Sequence, residues 1–189
     1  MKADLHTYLR GGRDALLWKL DGLGEYDVRR PLTPTATNLL GLVKHAAVWE
    51  SRYFGIVFGR PFAEELPYAD ASAEPNADMW VTADETREEI VDLYRRACAH
   101  ADATIEALAL DATGVVPWWG DATVTLHAVL VHVVAETQRH AGHADIVREL
   151  IDGTAGLLPQ LDNLPDVDDS WWRSHRRRVE RSALDAGAR

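Results

Sequence analysis

Apolar residues recur three and four positions apart along almost the whole chain, a period that amphipathic α-helices turn into one buried face. Leu5, Tyr8, Leu9, Ala15 and Leu16 make the first stripe, closed by Gly22 to Gly24 and Pro31. A second begins near Thr35 to Asn38 and runs towards Gly59, with Leu39, Leu42, Ala46, Trp49, Tyr53 and Val57 on its inward arc. Thr82-Ala-Asp-Glu85 has the capping-box pattern and opens a third helix through Ile90, Tyr94, Ala97, Ala101, Ile105 and Leu108. The fourth is the longest, from about Thr123 to Asp152 with a stop at Gly153, and its stripe is Leu126, Val129, Val133, Ala144, Val147 and Ile151. Residues 61–78 carry prolines and acids without a period and read as a loop. Gly114 to Asp121, centred on Pro117-Trp-Trp-Gly120, breaks the pattern before the fourth helix. A Pro- and Asp-rich stretch from 159 to 169 leads to a short amphipathic helix over about 170–185. No segment reads as a strand as strongly as these read as helices.

The expected fold is therefore all-α: a four-helix bundle plus a short C-terminal helix, in one domain over 1–189. With 189 residues the chain is long enough for a real core. A formal net charge of −10 argues against a general nucleic-acid binder, which needs a basic surface. No apolar run approaches membrane-spanning length, and Met-Lys-Ala-Asp-Leu-His lacks the apolar core of a signal peptide. The lone Cys98 fits a reducing compartment, so a cytoplasmic location is expected. It also rules out a Cys-rich zinc site, and any metal must rest on histidines and carboxylates.

Three of the eight histidines crowd into His132-Val-Val-Ala-Glu136-Thr-Gln-Arg-His140-Ala-Gly-His143. At about 100° per residue, Glu136 and His140 fall one turn apart on the face that carries Val129, Val133, Ala144 and Val147. An ionised carboxylate in an apolar stripe is costly unless something compensates it. A neighbouring histidine does so as an ion pair, and a shared metal ion does so more completely. One helix offers only two such ligands comfortably, so the third is expected from a facing helix. His45, beside Leu42 and Trp49, is the candidate. His45, Glu136 and His140 would leave a coordination position open, the pattern of a catalytic site. Spacing alone leaves a surface Glu-His pair standing beside that reading. Glu50, inside the arc of the second helix, is a rival ligand or a supporting partner.

Trp118 and Trp119 form either an apolar wall for a ligand or the seal at one end of the core. Cys98 lies beside an apolar stripe with no basic helix terminus near it, as a buried inert thiol would. Arg176-Arg177-Arg178 reads as a solvated helix face. His6, His100, His127 and His175 have no comparable setting.

The long helix bearing Glu136-Thr-Gln-Arg-His140-Ala-Gly-His143-Ala-Asp, with an earlier helical histidine, resembles the DinB superfamily. More narrowly, the chain resembles the actinobacterial branch of mycothiol S-transferases and mycothiol-dependent maleylpyruvate isomerase. Asn38-Leu-Leu-Gly-Leu-Val-Lys-His45, Tyr53-Phe-Gly, Asn76-Ala-Asp-Met-Trp80, Pro117-Trp-Trp-Gly120 and Arg148-Glu-Leu-Ile-Asp-Gly153 carry the same resemblance. It implies an up-and-down bundle with a long crossover and one divalent metal at one end. Many relatives use three histidines, and Glu136 departs from that form in the manner of the isomerase branch. The positions matching ligands are His45, Glu136 and His140, while His143, Glu50, Trp49, Tyr53, Trp118 and Trp119 would support the site or line a pocket.

The resemblance further implies a metal-dependent thiol S-transferase, with mycothiol as co-substrate and a small electrophile as its partner. Zinc suits the ligand set and thiol chemistry, with nickel and iron as alternatives. The rival expectation is a non-enzymatic metal-binding bundle with a structural or partner-binding role. A homodimer is compatible with a long bundle, though no exposed stripe argues for one.

Overall fold

The computed structural model describes residues 1–69 and 72–188. Asp70 and Ala71, within the stretch read as loop, and Arg189 lie outside the described residues. Among the described residues, six α-helices and one small hairpin, with short 3₁₀ turns between them, make up the regular structure. α1 spans Lys2–Trp18, α2 Glu25–Arg29, α3 Leu39–Phe54 and α4 Arg87–Ala107. β1 (Thr113–Val116) and β2 (Ala122–Thr125) follow, then α5 (Leu126–Asp152) and α6 (Asp169–Gly187). Among the described residues no helix is long and apolar enough to cross a membrane.

Directions within the bundle follow from which ends meet. Lys2 Nζ donates to the carbonyls of Glu106 and Leu108 (3.3 and 2.7 Å), while Arg87 at the start of α4 donates to the carbonyl of Leu23 beyond α1 (2.8 Å). α1 and α4 therefore run antiparallel. Lys44 pairs with Glu85 just ahead of α4, and Arg60 beyond α3 donates to Thr104 near the end of α4 (3.0 Å). α3 and α4 thus run parallel, which requires the long crossover between them. Gln138 meets the carbonyl of Tyr8, and Arg148 meets that of Lys19, so α5 runs parallel to α1 and antiparallel to α3. The expected bundle with a long crossover is the observed one.

Several boundaries differ from the expected ones. Residues 82–89 hold two capping-box patterns in succession, and the helix uses the second. Thr86 accepts from the Glu89 backbone N–H and Glu89 returns the bond, so α4 starts at Arg87. Glu85 is spent on the Thr82 backbone N–H (2.8 Å) and on Lys44. α3 ends at Phe54, and a separate 3₁₀ turn, Ile56–Phe58, carries the chain to Gly59. The break before α5 is a hairpin rather than irregular loop. Thr113 pairs with Thr125 and Val115 with Thr123, and Gly120 and Asp121 take left-handed backbone (φ 67° and 60°) at its tip. The short α2, with Val28 fully buried, was not signalled by any long stripe.

The apolar core is in two parts. One gathers Leu16, Leu42, Ala46, Tyr94 and Ala97, the other Leu9, Tyr53, Phe54, Ala101 and Leu126. Between them lies a charged layer: Arg13, 4% exposed, is ion-paired with Glu50, 2% exposed, and also with Asp102 (2.7 Å). His6 reaches the same Asp102 oxygen (2.7 Å) at the bundle surface. α6 contributes no buried residue.

Arg148 closes the end of α5 by gripping Asp152 through three guanidinium contacts of 2.8–3.1 Å. That grip, with the Thr154 backbone N–H, holds the Asp152 carboxyl down to about 2, against an ordinary 3.8. A carboxyl depressed in the folded state stabilises it fully above the unfolded pKa and loses that contribution as pH falls through the folded one. Asp152→Asn is expected to destabilise the protein at neutral pH and to flatten the stability profile between about pH 4 and pH 2. Urea unfolding at stepped pH measures this, and a profile unchanged by the substitution would assign the acid sensitivity elsewhere.

Candidate functional site

The antiparallel crossing of α3 and α5 decides which side chains meet. His45 and His140 face each other edge to ring, with centroids 4.7 Å apart. Eight residues further along α3 and eight back along α5, Tyr53 meets His132 with ring centroids 4.8 Å apart and planes tilted by 60°, its hydroxyl 2.9 Å from Nε2. Two turns of each helix thus bound one cavity of about 400 Å³. His45, Glu136 and His140 lie at one end, and Trp49, Tyr53, Trp118 and Trp119 form its aromatic side. A larger groove, about 640 Å³, is lined among the described residues by side chains of α6 alone.

Burial pushes His140 down to about 4, helped by His45, His143 and Arg139 nearby. The imidazole is therefore neutral near pH 7. Its Nε2 lies 3.8 Å from Glu136, and this contact is a carboxylate beside a neutral ring rather than an ion pair. Nδ1 of His140 is buried without a hydrogen-bond partner. Glu136 is the more open of the two, with its side chain 44% exposed. His143 packs edge-on to His140 at 5.5 Å.

Asp78 is the residue that the sequence reading missed. Its Oδ2 accepts from His45 Nδ1 (2.8 Å) and Trp49 Nε1 (3.0 Å). Burial alone would raise its carboxyl, but the bonds from His45 and Trp49 outweigh it and the pKa is lowered. A carboxylate on Nδ1 fixes the ring and leaves Nε2 as the free nitrogen, the arrangement that usually backs a metal-binding histidine. The only sequence signal was its place in Asn76-Ala-Asp-Met-Trp80. His132 was the other omission, since only the antiparallel register brings it to Tyr53.

Glu50 reaches the cavity floor, but one of its oxygens is paired with Arg13 and the other faces the Cys98 thiol at 3.7 Å. Burial pushes the Glu50 carboxyl up, with Arg13 working against that shift. Cys98 is driven far up by burial and by Glu50, which leaves it inert as a nucleophile.

Among the described residues, no three His, Cys, Asp or Glu side chains stand close enough together to hold a metal ion as they are placed. The donor set nevertheless suits one: two imidazoles in contact, one backed by Asp78 and one kept neutral with an orphaned nitrogen, and a carboxylate one turn away.

A family model described as Mycothiol-S-transferase matches residues 4–153. The chain belongs to that family. The match ends at the cap of α5 and includes every residue of the cavity, with α6 lying beyond it. None of the curated proteins compared with the chain matches it. Membership in the Mycothiol-S-transferase family implies a mycothiol S-transferase activity.

Proposed function

We propose that the chain is a metal-dependent thiol S-transferase, in which His45, Glu136 and His140 hold one divalent cation and mycothiol is the co-substrate. The observation that carries this reading is the His45–His140 contact across the helix crossing, with Asp78 fixing one ring. Zinc suits two imidazoles and a carboxylate with one position left open. When bound, such a cation is a Lewis acid that favours the ionised form of a thiol at neutral pH. The residues supply the rest. Asp78 orients His45, burial keeps His140 unprotonated, and Trp49, Trp118 and Trp119 shield the reacting sulfur and its electrophile from water. The sulfur of the co-substrate then bonds to the electrophilic carbon of a small substrate held against the aromatic side, as another bond of that carbon breaks and its electron pair leaves with the displaced group.

Elemental mass spectrometry on the zinc-reloaded full chain tests the site. Near-stoichiometric metal is expected, falling at least about tenfold in His45→Ala, Glu136→Ala and His140→Ala. Mycothiol-dependent consumption of a model electrophile should fall with it. Wild-type protein that takes up no zinc, or that turns over fully without it, would end this reading. Metal that is retained and stabilises the fold without any transfer would favour a non-enzymatic bundle instead.

A further inference from the structure

Beyond its place in the aromatic side of the cavity, Tyr53 has a hydrogen-bond setting that a wall residue does not need. Its oxygen accepts from Trp118 Nε1 (3.2 Å) and lies 2.9 Å from His132 Nε2. The rings of Trp118 and Trp119 stand edge-on at 5.2 and 5.7 Å and hold the phenol in place. With the His132 proton assigned to Nε2, both neighbours donate to the one oxygen, and the Tyr53 hydrogen is free to point into the cavity. Two donors on a phenol oxygen also stabilise the charge that appears there when the proton leaves. Burial raises the Tyr53 pKa, so the group enters any reaction as a proton donor.

The cavity also limits what the partner of the thiol can be. Its aromatic side is built from Trp49, Trp118 and Trp119, and no Lys or Arg is among the described lining residues to bind an anionic group. A neutral apolar electrophile fits the tryptophans. A proton donor opposite the sulfur matters only where negative charge collects on an oxygen of that electrophile. An epoxide makes this demand most sharply, because alkoxide leaves poorly without a proton.

We propose that Tyr53 is a catalytic acid that gives its hydroxyl proton to the oxygen released when the thiol opens a neutral epoxide, with His132 as its positioning residue. This rests on the transferase reading above. The sulfur forms a bond to one ring carbon, the bond from that carbon to oxygen breaks, and its electron pair stays on the oxygen. The Tyr53 proton converts that oxygen to a hydroxyl. The proton lost by the thiol passes to solvent and the phenolate takes one back from solvent, so no further reactant is needed.

The test compares styrene oxide with benzyl chloride on the zinc-loaded full chain with mycothiol, since chloride leaves without a proton. Tyr53→Phe is expected to lower kcat on styrene oxide by about 100-fold with KM little changed, a loss at least about tenfold larger than its loss on benzyl chloride. His132→Gln, which keeps an N–H donor, should retain most of the epoxide activity that His132→Leu loses. A second readout needs neither metal nor turnover. 4-Nitrophenolate, titrated by its absorbance into metal-free protein, should bind at least about tenfold more weakly to Tyr53→Phe than to wild type. Equal losses on both electrophiles, no loss on the epoxide, or unchanged 4-nitrophenolate binding would each overturn the proposal. Wild type that accepts benzyl chloride but not styrene oxide overturns the proposal alone. Wild type that accepts neither overturns the transferase reading and the proposal with it.

Discussion

Arg13→Met is expected to cost about 3–5 kcal/mol of stability at neutral pH, because it removes the partner of a buried carboxylate. Arg13 and Glu50 sit between the two halves of the core, 4% and 2% exposed, where neither charge has access to water. Methionine fills much of the vacated volume, so the loss is electrostatic rather than a cavity. Asp102 is cushioned by its partial exposure and by His6, but Glu50 keeps only the Cys98 thiol. Burial already pushes the Glu50 carboxyl up, so it can escape part of the penalty by taking a proton. The sign follows from that shift: with Arg13 gone the folded-state pKa lies further above the unfolded value. The variant is therefore least destabilised below the unfolded pKa, and the deficit grows as pH rises. Denaturant unfolding of Arg13→Met, Glu50→Leu and the double variant measures the effect. The double variant should recover most of the loss, since two apolar residues avoid the desolvation that the pair must offset. If it is as unstable as Arg13→Met, the layer is held by shape and not by charge.

That layer also shows what a single sequence reveals and what it hides. The helical period exposed the four bundle helices α1, α3, α4 and α5, because each must bury one continuous stripe. It exposed Glu136 and His140 because a carboxylate on such a stripe is conspicuous. Arg13 is equally conspicuous, close to the arc of Leu9 and Leu16 on α1, and a stricter reading of charges inside stripes would have found it. Asp78 is different in kind. It lies 33 positions from His45 in a stretch without period, and only the crossover's path brings it to the imidazole. His132 needed the register of α3 against α5, which no local pattern contains. The hairpin strands are four residues each, and their β-branched runs are too short to compete with the Pro117-Trp-Trp-Gly120 interruption between them. Of two capping boxes the sequence offers, tertiary pairing of Glu85 with Lys44 accompanies use of the second.

The crossover's path is fixed by an unusually close approach, and Gly41→Ala is expected to disrupt both the fold and the site. A Cβ added at Gly41 would lie 1.9 Å from the Met79 carbonyl oxygen and 2.6 Å from its carbon. Both are backbone atoms, so no side-chain rotation relieves the overlap. Either α3 lifts from the core or residues 76–80 move away. Gly41 is the third residue of α3, where Ala gains at most about 1 kcal/mol over Gly, so any net loss measures the clash. Overpacking against backbone should exceed that gain and leave the variant about 1–3 kcal/mol less stable. The consequence for the site follows from what the displaced segment carries. Asn38 Nδ2 donates to the Met79 carbonyl and Lys44 Nζ to that of Trp80, both at 3.1 Å, and Asp78 between these anchors orients His45. If the segment shifts, His45 loses the bond that fixes its ring, and zinc affinity at the proposed site should fall about 10–100-fold. Asp78→Ala separates the two effects. It removes the bond without a clash, so it should reproduce the fall in affinity while retaining most of the stability. Wild-type stability in Gly41→Ala would mean that residues 76–80 yield freely. Unchanged zinc affinity in Asp78→Ala would mean that packing between α3 and α5 alone aims His45.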